Sequence, residues 1–245
     1  MMTRHAILAG CLLATVAVAG EPKPDKVPTH IWVREDLFAG LLANDMERFA
    51  RGEEKLADLL AANPKNYEAL PWKMSAEMLR AVLAFESGNR AEFDQRYQKA
   101  VAGFEGMNKQ APNNVGILAI YGGTISTLSH RLPPDVAAAA NRRSVELYLN
   151  LEQVQKDSFE KMPVHHRGEV LSGAAQGAAR SGQEELARTY LAKIVETLPG
   201  TPYVAVARKV LENPELGKTA RIACNSCHEP NRLADFTARL NAKAK

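Results

Sequence analysis

Cys224, Cys227 and His228 form a Cys-x-x-Cys-His motif in the last quarter of the 245-residue chain. Two thiols three positions apart lie on one side of a helical turn, so both can add to the two vinyl groups of one porphyrin. The imidazole of the next residue can then coordinate the iron. The spacing therefore predicts one covalent haem c, held through Cys224 and Cys227, with His228 as the iron ligand.

Two other uses of the thiols are weaker. A redox dithiol of the thioredoxin kind comes with a βαβ pattern, which the sequence lacks. A structural zinc site needs four ligands, and the chain has no second cysteine pair, since its third cysteine is Cys11. The motif therefore favours haem over a disulfide or a metal ion.

The N-terminus has the pattern of an export signal, as haem c attachment outside the cytoplasm requires. A short start carrying Arg4 is followed by an uncharged apolar run over residues 6–19, which ends in Ala17-Val18-Ala19. We expect residues 1–19 to be a signal peptide, cleaved near Ala19, and the mature protein to be periplasmic. Lipidation at Cys11 is the less favoured alternative, because the apolar run continues past that residue.

Composition narrows the function classes further. The formal net charge is only +3, which is not the balance of a nucleic-acid-binding protein. No segment after the signal reaches the ~18 apolar residues of a transmembrane helix, so no span is expected. Neither a phosphate-binding glycine loop nor a nucleophile elbow is present, which favours an electron carrier or binding protein over an enzyme.

Apolar residues at helical spacing predict an all-α fold. We expect an extended leader over residues 20–33 and helical hairpins over residues 34–213. A haem c attachment segment would occupy residues 214–245. Turns are predicted at Gly52, at Ser87-Gly88-Asn89, at 131–134 and at Ser181-Gly182-Gln183, with a short last helix over residues 203–211.

The hairpins resemble tetratricopeptide-type (TPR) repeats, most clearly over residues 50–66 and 182–199. The distances from glycine to the following proline vary, so the period is not kept. The resemblance implies an irregular α-solenoid of about four TPR-like hairpins that ends in a short haem-binding tail. Such a stack offers an extended concave surface for a partner protein.

Residues 220–232 resemble the attachment site of c-type cytochromes. The resemblance implies that Cys224 and Cys227 form the thioethers and that His228 is the proximal ligand. It also implies electron transfer with a redox partner protein, on which the repeat body would dock. The alternative is a TPR-like binding scaffold in which the haem is structural or absent.

The sixth iron ligand stays open at this point. No methionine follows His228, so the distal methionine common in electron-transfer cytochromes is not found downstream. The candidates upstream are His165, His166, Met162 and His130, and the position could also be vacant. Histidines like these more often cap a helix or lie on the surface than bind a metal ion.

Overall fold

The computed structural model describes residues 29–222, with side chains from Val33 onward. In this range the chain is helical and contains no strand, so the predicted all-α class is confirmed there. The helices are α1 (Thr29–Ala43), α2 (Met46–Ala62), α3 (Ala69–Glu86), α4 (Arg90–Gln110), α5 (Val115–Leu128), α6 (Pro134–Val154), α7 (Val164–Arg180), α8 (Glu184–Thr197), α9 (Pro202–Glu212) and α10 (Leu216–Thr219). Short 3-10 turns occupy Ser129–Arg131 and Phe159–Lys161.

Several predicted features lie outside the described residues. These are the signal peptide and leader up to residue 28, Cys11, and the three residues of the haem motif: Cys224, Cys227 and His228. The described chain ends at Ile222, two residues before Cys224.

The helices pack in neighbouring pairs. α1 packs on α2, α3 on α4, α5 on α6 and α7 on α8, while α9 packs on α8 and α10 contacts α7. Contacts between α1 and α3, α3 and α5, and α5 and α7 connect the first helices of successive pairs. One apolar core runs through the whole stack, because each pair buries its apolar face against the next.

Two of the predicted turns are confirmed in their positions and chemistry. Gly88 and Gly182 follow the ends of α3 and α7 with φ of 82° and 77°, a backbone conformation that glycine adopts without strain. The Asn89 side chain then accepts a hydrogen bond of 3.1 Å from the backbone N–H of Glu92 and begins α4. The helices predicted after Pro134 and around residues 203–211 are also present.

The predicted turn at Gly52 is wrong. The chain turns at Asn44, which has φ of 56°, and the Asp45 carboxylate caps α2 by accepting from the Arg48 N–H at 3.1 Å. Gly52 lies inside α2, where a Cβ would come within 3.2 Å of the Leu37 backbone nitrogen. This glycine therefore serves close packing of α2 on α1.

The boundary of the predicted leader also differs. α1 begins at Thr29, so residues 29–33 of the segment expected to be extended are helical. The helix starts directly after Pro28, a residue tolerated at a helix start but not in its interior. Val33 and Leu37, four positions apart, then share the buried face of α1.

Candidate functional site

A buried amide holds the chain just before the haem motif. The backbone N–H of Ile222 donates to Gln176 Oε1 at 2.8 Å. Gln176 Nε2 in turn donates to the backbone carbonyl of Ser126 at 3.0 Å and to its Oγ at 2.7 Å. Gln176 and Ile222 are each only 2% exposed, so this link between α5, α7 and the segment after α10 is shielded from water.

Arg180, one turn after Gln176 on α7, makes a second link. Its Nη1 donates to the Ser126 carbonyl at 2.8 Å and to Ser129 Oγ at 3.1 Å, and its Nη2 donates to the Ala220 carbonyl at 3.3 Å. One guanidinium therefore bridges the end of α5 and the segment that leads to Cys224.

We name this region the α5–α7 corner. It comprises the C-terminal ends of α5 and α7 and the segment after α10, with residues Ser126, Ser129, His130, Arg131, Gln176, Arg180 and 220–222. It contains the last described residues, 220–222, which precede the motif cysteine Cys224 in the sequence.

The α5–α7 corner contains a cation that has only neutral hydrogen-bond partners, Arg180. Within the described residues Arg180 forms no ion pair with a carboxylate, and its oxygen partners are neutral. Burial and, to a smaller extent, the positive charge of Arg221 lower the pKa of Arg180 to about 10, and the guanidinium is still protonated at neutral pH. A buried cation without a carboxylate is costly, and an anion placed nearby would offset that cost.

His130 lies on the outer side of the same corner. Burial lowers the pKa of its imidazole, and the positive charges of Arg180, Arg221 and Arg131 lower it further. The backbone carbonyl of Thr127 acts in the opposite direction by accepting a hydrogen bond from the ring. The side chain is nevertheless exposed, so its neutral imidazole is accessible from outside.

The turn that carries His130 is fixed by an ion pair to another hairpin. Arg131 Nε and Nη2 donate to the two carboxylate oxygens of Glu86, each at 2.7 Å. This two-pronged contact holds the 3-10 turn after α5 against the end of α3. Arg131 also lowers the pKa of Glu86, because its hydrogen bond favours the charged carboxylate.

The other candidate iron ligands lie at the far end of α7. His165 and His166 occupy its first turn, with ring centroids 5.8 Å apart, and Met162 directly precedes the helix. Fifteen residues separate His165 from Arg180, which corresponds to about 22 Å along a helix. His130 is therefore separated from His165, His166 and Met162 by the length of a helix.

His165 belongs to a packed contact between α7 and α9. The Tyr203 hydroxyl donates to Glu169 Oε1 at 2.8 Å and lies 3.3 Å from His165 Nδ1. Gly168 makes room for this ring, since a Cβ there would come within 2.2 Å of it, and Tyr203 is 5% exposed. The His165 side chain therefore takes part in the packing of α9 on α7.

Sequence reasoning missed Gln176 and Arg180. The signal was present, because both are polar residues in a stretch of α7 dominated by small and apolar side chains, four positions apart and so on one face. A polar residue in a buried stretch needs a partner, which marks it as worth examining.

Comparisons with known proteins give no relative. No protein-family model matches the chain, and no curated protein or solved structure is significantly similar to it. Over residues 29–222, no group of three or more His, Cys, Asp or Glu side chains is arranged to hold a metal ion. In the same range, no helix combines the length and the apolar character of a membrane span.

Proposed function

We propose that this chain is an exported mono-haem c-type cytochrome-like protein that transfers electrons in the periplasm. The Cys-x-x-Cys-His motif carries the proposal, because it combines two attachment thiols with an adjacent imidazole. Cys224 and Cys227 would form the thioethers, and His228 would be the proximal ligand. The bound haem would supply a one-electron couple. The signal over residues 1–19, with cleavage near Ala19, supports export independently.

The α5–α7 corner supports this proposal by fixing the entry to the motif. Gln176 and Arg180 hold residues 220–222 on the helical body through one buried and one partly buried hydrogen bond. Covalent geometry allows at most about 7 Å between the Cα atoms of Ile222 and Cys224. The first thiol would therefore attach the haem near the corner, where the positive charge of Arg180 suits the carboxylates that a haem carries.

The helical body would act as the docking platform. Successive contacts from α1 to α3, α5 and α7 are what an irregular TPR-like solenoid of four hairpins requires, since each pair then buries its face on the next. A body of this kind would present one long surface to a redox partner. Positive charge around the attachment site would favour a partner with an acidic surface.

The experiment is production in a host that matures c-type cytochromes, followed by haem staining of denatured protein. Wild-type protein should keep its haem and show a reversible one-electron couple in voltammetry. Cys224→Ala and Cys227→Ala should each weaken or abolish the stain, whereas Cys11→Ala should leave it unchanged, because that residue belongs to the predicted signal peptide. A stain that survives replacement of both motif cysteines would refute the proposal.

A second candidate function is a protein-binding scaffold in which haem is structural or absent. The observation that favours it is the serial packing of α1, α3, α5 and α7, which is the kind of helix-pair packing found in repeat proteins that bind partners. Partner capture that is equal for wild-type protein and Cys224→Ala would favour the scaffold. Capture that depends on haem would favour the electron carrier.

A further inference from the structure

The structure distinguishes between the histidines that could reach an attached haem. Side chains are described for His130, His165 and His166, and of these only His130 lies at the α5–α7 corner. The Arg180 guanidinium donates to Oγ of its neighbour Ser129 at 3.1 Å and to the backbone carbonyl of Ala220 at 3.3 Å. A single side chain therefore spans the distance between the His130 turn and the segment that continues to Cys224.

The His130 turn is held rigidly. Ser129 is 2% exposed, and Leu132 closes the 3-10 turn by donating its N–H to the Ser129 carbonyl at 3.4 Å. The two hydrogen bonds from Arg131 to Glu86 fix the turn from the other side. An imidazole on a fixed turn needs little ordering to bind a ligand or a metal, which favours tight coordination.

The imidazole itself has the form that coordinates iron. It is exposed, and the Thr127 carbonyl accepts a hydrogen bond from the ring. Metal-binding histidines commonly donate one ring N–H to a backbone carbonyl, so that the other nitrogen presents its lone pair to the metal. Arg180 beside it has no carboxylate partner within the described residues, so its positive charge would favour the carboxylates of a porphyrin placed nearby.

We propose that His130 is the sixth ligand of the iron, opposite His228, and that the haem therefore packs on the α5–α7 corner. This inference rests on the proposed function, since it needs a haem attached at Cys224 and Cys227. It assigns the distal position to a residue of the helical body and gives the body a direct role in setting the spin state of the iron. His165, His166 and Met162 are left as packing or surface residues.

The test compares spectra of the full mature protein carrying covalent haem. Wild-type protein should be low-spin in both oxidation states, and its ferrous form should bind CO slowly or not at all. His130→Gly should convert the iron to a high-spin, CO-binding state, and added imidazole should restore the low-spin spectrum by entering the vacated space. His130→Gln, which keeps the bulk of the side chain, should also become high-spin.

His166→Gly is the matched control, because His166 is an exposed histidine at the far end of α7. It should leave the low-spin spectrum unchanged. Haem content, measured on the same samples, separates the two proposals. Wild-type protein without covalent haem would overturn both the function and this inference. Haem-loaded wild-type protein that is high-spin, or His130→Gly and His130→Gln that both stay low-spin, would overturn only the assignment of His130.

Discussion

Gln176 and Ile222 are joined by a buried hydrogen bond of 2.8 Å between the Ile222 N–H and the side-chain oxygen of Gln176. The two residues are 46 positions apart in the sequence. This contact fixes the chain two residues before the first motif cysteine. The helical body therefore holds the chain in place up to Ile222, and under the proposed function this residue would define where the attachment segment begins.

Gln176→Leu should destabilise the fold and release residues 220–222 from α7. Leucine fills a similar volume but leaves the Ile222 N–H and a Ser126 oxygen without partners, which we expect to cost about 2–3 kcal/mol. Urea unfolding followed by circular dichroism measures the loss. Gln98→Leu, an exposed change in the middle of α4, should stay within about 0.5 kcal/mol of wild type. Equal effects of the two changes would argue against the buried link.

Two glycine-to-alanine changes should have opposite effects on stability. At Gly173 a Cβ would come within 2.1 Å of the Tyr148 ring, so the methyl group should cost about 2–3 kcal/mol. At Gly106, inside α4, a Cβ meets nothing within 4 Å, and the higher helix propensity of alanine should add about 0.5–1 kcal/mol. Thermal unfolding of both variants checks the packing of α6 on α7. A neutral Gly173→Ala would contradict that packing.

Stability should depend on pH through Glu86. Its pKa is lowered by the hydrogen bond from Arg131, so the folded state favours the carboxylate. The stabilisation is therefore present above the unfolded pKa, near 4.5, and is lost as the pH falls through the lower folded value. Both groups are partly exposed, so we expect less than about 1 kcal/mol.

Glu86→Gln is the variant that tests this dependence. The gap in unfolding free energy between wild type and Glu86→Gln should be present at pH 6–7 and should close as the pH falls below about 4. Glu54→Gln, an exposed change on α2, is the charge-matched control, and at pH 6–7 it should change the unfolding free energy less than Glu86→Gln does. If the difference in unfolding free energy between wild type and Glu86→Gln stays constant at every pH, the ion pair between Glu86 and Arg131 does not contribute to stability.

Arg180→Gln should lower the reduction potential of the haem-loaded protein. A positive charge close to the iron favours the reduced state, and its removal should shift the midpoint downward by on the order of tens of millivolts. Arg188→Gln, an exposed change on α8, is the charge-matched control and should shift the midpoint less. Voltammetry of both proteins at one ionic strength measures the difference. Equal shifts would place the haem away from the α5–α7 corner.

The sequence predicted the hairpin turns correctly where the backbone conformation of a single glycine determines the turn. Gly88 and Gly182 each follow a helix and adopt positive φ, a pattern that a sequence reveals directly. Gly52 looked the same in sequence but serves close packing against Leu37, whereas the actual turn uses Asn44 in the left-handed region. A glycine alone does not reveal whether backbone conformation or tertiary contact requires it.

The α5–α7 corner was not predictable, because it depends on contacts that are distant in sequence. Gln176 meets Ser126 from 50 positions away, and Arg180 meets Ala220 from 40. Helical spacing places Gln176 and Arg180 on one face of α7 but cannot name their partners. The same limit left His130 indistinguishable from His165 and His166 until the fold separated them.

The intact mass of the mature protein, purified from a host that attaches haem c, tests the central claim most directly. The account predicts the mass of a chain that begins at Gly20, increased by one haem, and loss of that increment in the protein with both Cys224→Ala and Cys227→Ala. A chain of unmodified mass, from cells that mature another c-type cytochrome normally, would contradict it.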